Sequence, residues 1–324
     1  MTQHEDFIMA LSAAQQPLSA DDTIAEAGRK VLLNELIKML QHEAGSRTGE
    51  DIEDVHDMRV AIRRMRSALR LLEPYFKQKA IAPYSQGLRK IAQTLGTVRD
   101  LDVQIDDLEK YAAERPDEER AALEKAAGLL RGRRDKARER LVGAFDRAAY
   151  GRFVKAFGVF LTTPGKGARG DSDRDEIQPV QLRHILPEMI YRHLGSVRAY
   201  EEVLPEADLL TLHALRIEFK RLRYVVSLFG EVMGSNASAF IEEMKLIQDH
   251  LGRLNDMSVA QEHLNDLISD FSRNDDSDVQ EALRTYIAAL EAQKTALRDG
   301  VPAMWQRFNT KKVQRQLAMA VAGL

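Results

Sequence analysis

The chain has 324 residues, enough for two domains of ordinary size or one large one. Its 44% hydrophobic and 30% charged residues are typical of a globular protein and exclude disorder along the whole chain. The absence of cysteine excludes disulfides, thiolate metal sites and cysteine nucleophiles. Residues 1–14 lack the basic cluster of a signal peptide, and no apolar run approaches the roughly 18 residues of a membrane span. We therefore expect a cytoplasmic protein with no membrane partner.

The net charge of −3 conceals two basic segments. Residues 55–76 hold five arginines and two acidic residues, and residues 212–229 hold four basic residues and one acidic residue. Each segment has an excess of three positive charges, which leaves −9 on the remainder of the chain. Two basic features inside an acidic protein favour a local anion site over a surface that is basic throughout.

Apolar residues recur at spacings of three and four along the chain, and no segment alternates as a β-strand does, so the sequence predicts an all-α protein. Prolines and aspartates near several segment starts favour helix N-termini there. The predicted helices, in chain order, span residues 20–44, 54–73, 81–112, 117–149, 151–161, 180–202, 207–229, 236–269, 277–299 and 301–320.

The chain divides near its middle. Residues 162–179 are rich in glycine, proline and charge and have no periodicity, which predicts a linker. Residues 20–161 form the first predicted half and residues 180–324 the second. Residues 1–19 are expected to be a loosely ordered N-terminal tail.

The two predicted halves share two sequence elements. Residues 55–66 match residues 212–223 at a spacing of 157, and residues 95–103 match residues 251–259 at a spacing of 156. Two matches at nearly one spacing indicate duplicated units, so we expect two pseudo-symmetric halves of the four-helix-bundle type.

Each copy of the first element carries a row of basic residues. On a helix that advances about 100° per residue, the row in the first copy falls within about 80° of arc, opposite the apolar residues. The first basic stripe consists of His56, Arg59, Arg63, Arg66 and Arg70. The second basic stripe consists of His213, Arg216, Lys220 and Arg223. The apolar residues expected to be buried are Met58, Ala61, Ile62, Met65, Ala68, Leu69 and Leu72, and Leu215, Phe219, Leu222, Val225, Val226 and Phe229.

Such a stripe favours binding of a phosphate-rich ligand. Cations along one line repel each other unless anions neutralise them. Guanidinium groups donate two parallel hydrogen bonds to phosphate oxygens, and a histidine can add another. From His56 to Arg70 the helix rises roughly 21 Å, so two such rows would line a groove suited to a linear polyanion. One stripe alone would more often be a solvated face, but its recurrence favours a binding role.

The spacing of the basic residues resembles the CHAD family, the conserved histidine α-helical domain. Its signature is a histidine followed at three, seven, eight and ten residues by basic side chains, twice per domain. The two copies here read His56, Arg59, Arg63, Arg64, Arg66 and His213, Arg216, Lys220, Arg221, Arg223. The Leu-Gly-x-x-Arg-Asp-x-Asp-Val element also resembles the family, although Asn255 and Ser258 replace Arg99 and Asp102 in the second copy. The resemblance covers roughly residues 20–310.

The resemblance implies a single CHAD-like domain in which two four-helix-type halves surround a central basic pore that binds inorganic polyphosphate. Many relatives carry an N-terminal triphosphate-tunnel domain. Because the first predicted helix begins near residue 20, we expect a stand-alone form without that domain. We expect this form to bind its ligand without catalysis and without a cofactor. We expect it in the cytoplasm, in association with polyphosphate granules.

Further basic residues are candidates for the same site. Arg89 and Lys245 each lie six residues before the Leu-Gly step, with a surface role as the alternative. A second tier of candidate ligands consists of Arg70, Arg134, Arg138, Lys294 and Arg298. The repeated Asp100 and Asp256 are expected to orient the signature arginines through ion pairs or, alternatively, to cap a helix bend.

Two other functions stay open. A Mg²⁺-dependent enzyme acting on polyphosphate or nucleoside triphosphates would need carboxylates, and Asp100, Asp102 and Asp256 are the candidates. The sequence has no histidine–acid metal motif, and any Mg²⁺ would arrive with the phosphate ligand. A nucleic-acid partner is disfavoured by the acidic remainder and by the few aromatics among the basic residues.

Overall fold

The computed structural model describes residues 3–170, 179–272 and 276–324. This part of the chain contains thirteen α-helices and no β-strand beyond isolated bridges, which confirms the predicted all-α class. A 3₁₀ turn at Glu73–Tyr75 follows the fourth helix. The helices are α1 Gln3–Ala13, α2 Ile24–Gln41, α3 Glu43–Thr48, α4 Ile52–Leu71, α5 Gln78–Ala113, α6 Asp117–Phe145, α7 Ala148–Thr162, α8 Leu182–Arg198, α9 Leu209–Leu228, α10 Ser235–Phe271, α11 Ser277–Asp299, α12 Val301–Phe308 and α13 Lys311–Ala322.

Corresponding helices of the two halves make corresponding contacts. In the first half α2 packs on α4, α4 on α5 and α5 on α6, and in the second half α8 packs on α9, α9 on α10 and α10 on α11. The halves meet where α4 contacts α9 and where α6 contacts α11. The two helices that carry the basic stripes are therefore direct neighbours.

Aspartates at equivalent positions start these two helices. The Asp51 side chain accepts a hydrogen bond of 2.8 Å from the Glu53 amide at the start of α4. Asp208 accepts one of 2.8 Å from the Thr211 amide at the start of α9. Both caps satisfy a backbone donor that the first helical turn leaves unpaired. They lie 157 residues apart, the spacing of the motif itself.

The hydrophobic residues form two clusters. The main core contains the apolar faces of α4 and α9, and every residue that we expected those faces to bury is at most 2% exposed. A smaller core joins the far ends of α5, α6, α10 and α11. There Tyr111 and Tyr286 stack with ring centroids 4.0 Å apart. Long α5–α6 and α10–α11 hairpins thus extend beyond the main core and contact each other.

The N-terminal segment differs from the loosely ordered tail that we expected. Gln3–Ala13 forms a helix that packs on α2, and its Leu11 is buried in the main core. Phe7 lies against Gly158 of α7. This packing stabilises a short helix that its own sequence would not hold.

Two predicted helices are each divided in the structure. The first breaks at His42, between α2 and α3, and the last breaks at Asn309–Thr310, between α12 and α13. Thr310 caps α13 by accepting a hydrogen bond of 3.5 Å from the Val313 amide. Capping side chains of this kind compete with continuation of the helix.

The described parts of the predicted linker lie against the rest of the chain. The backbone amide of Lys77 donates a hydrogen bond of 2.8 Å to the carbonyl of Gly167, and the amide of Arg169 donates one of 3.0 Å to the carbonyl of Tyr75. At the other end of the predicted linker, the amide of Ile24 donates a hydrogen bond of 2.8 Å to the carbonyl of Val180. Residues 171–178 of the predicted linker lie outside the described residues.

Among the residues described, none of the helices combines the length and low charge that a bilayer-crossing segment needs.

Candidate basic site between α4 and α9

A pocket of about 560 Å³ lies between α4, α8 and α9, beside the 3₁₀ turn Glu73–Tyr75. Both signature helices contribute cations to its wall, whereas its lining includes one carboxylate, that of Glu73. The cationic lining residues are Arg63, Arg66, Arg70, Arg192, Lys220 and Arg221. This charge imbalance gives the pocket a positive potential that favours an anion.

The Lys220 ammonium is partly buried in this positive environment. Burial lowers its pKa to about 8, and the nearby cations Arg216, Arg63 and Arg223 add to the lowering. Asp256 opposes the effect. Because Arg63 lies on α4 and Lys220 on α9, the two basic stripes repel each other across the helix pair. An anion bound between them would relieve this repulsion.

The same repulsion extends along α4 and onto α5. Burial lowers the pKa of Arg66, and the charges of Arg70 and Arg89 lower it further. Arg89 is exposed on α5, so α5 places a cation beside the first stripe. Lys245 is exposed on α10, at the position equivalent to Arg89.

Arg223 lies between the two helices as well. Burial lowers its pKa, and the charges of Arg63 and Arg64 act in the same direction, whereas Tyr224 and Asp249 oppose them. Its guanidinium lies 5.5 Å from the ring centroid of Tyr224, within cation–π range. Arg223 thus adds to the positive charge between α4 and α9.

Each stripe has one arginine tied to an aspartate of the second repeated element. Arg59 pairs with Asp100 of α5 at 3.4 Å, and Arg216 pairs with Asp256 of α10 at 3.8 Å. These are the ion pairs that we expected for Asp100 and Asp256. The glycine of each Leu-Gly step faces the same arginine, because a Cβ atom at Gly96 or Gly252 would lie 4.0 Å from a guanidinium nitrogen. The Leu-Gly element of each half therefore helps to hold the first arginine of the basic stripe in position.

The two signature histidines have different neighbours. Burial lowers the pKa of His56, and Arg99 lowers it further. At the equivalent place in the second half, the Asn255 side-chain oxygen lies 2.6 Å from Nδ1 of His213. The replacement of Arg99 by Asn255 thus exchanges a cation beside the histidine for a hydrogen-bond partner.

Arg64 and Arg221 are equivalent in sequence but differ in their partners. Arg64 pairs at 3.2 Å with Glu35 of α2, whose side chain is 2% exposed. Arg221 pairs at 2.5 Å with Glu218, one turn earlier on its own helix, and lines the pocket. The first-half arginine is therefore held by a buried carboxylate, and the second-half arginine faces the pocket.

The remaining candidates lie on α6 and α11. Arg138 donates to the carbonyl of Gly49 at 3.2 Å, and Arg298 donates to the carbonyl of Ala207 at 3.1 Å. Both carbonyls belong to the segments that precede the signature helices. Arg134 pairs with Asp135 at 3.0 Å, and Lys294 donates to Gln261 at 2.7 Å and pairs with Glu291.

Three residues near the site are absent from our sequence-based candidates. Arg99 lies beside His56, and Arg192 and His193 of α8 line the pocket. Arg99 could have been found in the repeated element. Arg192 carries no such signal, because the spacing of 157 relates it to Glu35, a residue of opposite charge.

Within the described ranges no three acidic or histidine side chains come together as a metal site would require. Of the aspartates proposed for an enzyme, Asp100 and Asp256 are paired with arginines. Asp102 is 5% exposed, and burial raises its pKa against the opposing charges of Arg134 and Arg99. The arrangement is suited to holding an anion in place by hydrogen bonds and charge.

Two curated proteins with similar sequences come from Mycobacterium tuberculosis. Two uncharacterized proteins, from strains CDC 1551 / Oshkosh and ATCC 25618 / H37Rv, are each 29% identical to this chain over 225 residues. The matched region is 65% of this chain and 39% of each relative. The chain thus spans about two fifths of the length of these curated relatives.

Two solved structures share the fold. The CHAD domain from the plant Ricinus communis has a TM-score of 0.71 at 23% identity, over 92% of this chain and 96% of that one. PptA from Streptomyces chartreusis has a TM-score of 0.60 at 15% identity, over 88% of this chain and 99% of that one. The CHAD domain family matches residues 30–265, well over half of the chain. The protein therefore belongs to the CHAD domain family.

Proposed function

We propose that the protein binds inorganic polyphosphate, without catalysis, between its two basic stripes. The observation that carries this proposal is the position of Arg63, Arg66 and Arg70 of α4 in one pocket with Lys220 and Arg221 of α9. The ligand would lie along both signature helices, and the second tier of candidates on α6 and α11 would extend its contacts. The proposal places the protein in the cytoplasm, on polyphosphate granules.

Electrostatics favour a ligand with many linked charges. Several cations at the site are partly buried and repel each other, so neutralising them together gains more than neutralising one. The rest of the chain carries −9, which opposes a large polyanion such as duplex nucleic acid that would contact a broad surface. A thin flexible polyanion can enter a pocket and avoid the acidic surface.

Chain length then controls affinity. Once one phosphate is bound, its linked neighbours bind the next arginines at a high effective concentration. We expect affinity to rise with the number of phosphates until the ligand spans the first stripe, a helix length of roughly 21 Å. Each additional neutralised phosphate should also steepen the dependence of affinity on salt.

Calorimetric titration with orthophosphate and with polyphosphates of increasing length tests the proposal. We expect orthophosphate to bind weakly and long chains to bind at least a hundredfold more tightly, with a steep salt dependence. Equal and weak binding at every length would overturn the proposal. In the presence of Mg²⁺, release of orthophosphate or shortening of the chain would favour the enzyme alternative.

Variants connect the binding to the two stripes. Alanine at Arg59, Arg63, Arg216 and Lys220 together should abolish binding while circular dichroism still reports the helical fold. A matched control replaces four exposed basic residues away from the pocket, Lys110, Arg120, Arg284 and Lys312, and should bind as the wild type does. Displacement of polyphosphate by single-stranded nucleic acid at equal phosphate concentration would favour a nucleic-acid function.

A further inference from the structure

Two residues of α8 line the basic pocket although they lie outside the repeated motif. Arg192 and His193 share its wall with Arg66, Arg70 and Lys220. Arg192 is exposed and His193 is half-buried. The pocket therefore has a third basic wall, from a helix that contains no part of the signature.

The position that Arg192 occupies in the second half holds a residue of opposite charge in the first half. The spacing of 157 that relates α4 to α9 also relates the ends of α2 and α8, so Arg192 corresponds to Glu35. Glu35 is buried and pairs with Arg64 at 3.2 Å. In the second half the two equivalent positions hold Arg192 and Arg221, which are both cations and both line the pocket. The structure thus places an ion pair in one half and two pocket-facing cations in the other.

The partners of these cations are weak competitors for an anion. Arg192 pairs with Glu188, and Arg221 pairs with Glu218, each within one turn of its own helix. The Arg192 side chain is 69% exposed, and that of Arg221 is 49% exposed. The Arg192–Glu188 pair is exposed on both sides and contributes little energy, so a phosphate group can replace Glu188. The Glu218 side chain is only 16% exposed, but the half-exposed guanidinium of Arg221 can donate to a phosphate and to Glu218 together.

We propose that Arg192 and His193 form an additional phosphate subsite, so that polyphosphate bound between the stripes extends toward α8 and not toward α2. This inference rests on the proposed function, which it deepens by giving the bound chain a preferred side. A guanidinium and a protonated imidazole beside Arg221 would donate to the same phosphate unit or to adjacent units. The first half offers no such subsite, because Glu35 occupies the corresponding position.

The charges around His193 make its contribution dependent on pH. Burial lowers its pKa, Arg221 of α9 and Arg192 of α8 lower it further, and Glu218 of α9 opposes them. The other charged or titratable residues of the pocket are Arg63, Arg66, Arg70, Glu73, Tyr75, Lys220 and Tyr224. The imidazole is therefore mostly neutral at pH 7 in the free protein, and a bound phosphate would raise its pKa. Its contribution to affinity should then grow as the pH falls from 7 toward 5.5.

Matched substitutions on α8 test the subsite. Arg192→Gln should weaken binding of a long polyphosphate about three- to tenfold at low salt and reduce the slope of log affinity against log salt by about 0.7 to 1. Arg198→Gln makes the same charge change at an exposed position of α8 that lines a different pocket, and should change neither quantity appreciably. His193→Gln should reduce the gain in affinity between pH 7 and 5.5 to the part that the stripe histidines His56 and His213 supply, whereas exposed His184→Gln should keep the full gain.

The outcomes separate this inference from the function on which it rests. If the wild-type protein fails to bind polyphosphate, the proposed function fails and the subsite fails with it. If the wild type binds and alanine at Arg63 and Lys220 abolishes binding, but Arg192→Gln and His193→Gln behave as their controls do, the subsite alone is refuted. Circular dichroism of each variant keeps loss of fold apart from loss of binding.

Discussion

Arg59 of α4 forms an ion pair of 3.4 Å with Asp100 of α5, and the equivalent Arg216 and Asp256 lie 3.8 Å apart in the second half. Both aspartates are more than half exposed, so the pairs add little to stability. They hold the first arginine of each stripe in place while also adding negative charge beside a site for a polyanion.

Asp100→Asn should therefore tighten polyphosphate binding about two- to fivefold, because the removed charge repels the ligand and competes for Arg59. The free energy of unfolding should change by less than about 1 kcal/mol. Calorimetric titration and denaturant unfolding measure the two effects. Asp106→Asn, further along α5, is the control. Weaker binding by Asp100→Asn would contradict this prediction and show that holding Arg59 in place matters more than the repulsion.

Polyphosphate affinity should fall as the pH rises above about 8, because burial and neighbouring arginines lower the pKa of Lys220 to about 8 in the free protein. A bound polyanion raises that pKa, so binding takes up a proton between the free and bound values and weakens with pH there. The total fall should not exceed about a hundredfold. Lys220→Arg keeps its charge and should bind almost independently of pH from 8 to 10. An unchanged pH profile in that variant would assign the effect to another group.

Lys220→Met should stabilise the free protein at pH 7 by about 1 kcal/mol once solvent screening of this partly exposed site is allowed for. The folded state has the lower pKa for Lys220, so the charged lysine opposes folding below pH 8, and this cost disappears as the pH rises toward 10.5. Denaturant unfolding at pH 7 and at pH 10 measures both effects. A variant less stable than the wild type at pH 7 would show that packing of the lysine stem outweighs the charge.

Arg138→Met and Arg298→Met should each lower the free energy of unfolding by about 1 to 2 kcal/mol. Their guanidinium groups hold the carbonyls of Gly49 and Ala207, which precede α4 and α9. We expect a smaller loss of polyphosphate affinity than for Arg63→Ala, whose side chain lines the pocket. Thermal unfolding and titration on the same samples measure the two quantities. A loss of affinity as large as that of Arg63→Ala, with stability unchanged, would contradict this expectation.

The sequence predicted the signature helices well because local rules determine them. The buried and basic faces of α4 follow from helical periodicity, and the burial of Phe219 on α9 follows from the same rule. The start of α4 was less well determined, because the predicted helix begins at residue 54, whereas the structure begins it at Ile52 with Asp51 as the N-cap.

Such local rules do not predict contacts between helices that are distant in the sequence. The pairing of Arg64 with Glu35 joins α4 to α2, and the access of Arg192 to the pocket depends on how α8 packs on α9. Helix α1 owes its order to burial of Leu11 in a core built from distant segments. A duplicated sequence indicated the two stripes, but the charge reversal from Glu35 to Arg192 becomes meaningful only when both positions are seen beside the equivalent arginines.

The most direct measurement is a crystal structure of the protein with a long polyphosphate bound. We expect consecutive phosphate groups between α4 and α9, with oxygens within hydrogen-bond distance of Arg63 from one stripe and Lys220 from the other. Phosphate density confined to surfaces remote from this helix pair, with the pocket between the stripes filled only by water, would contradict the account.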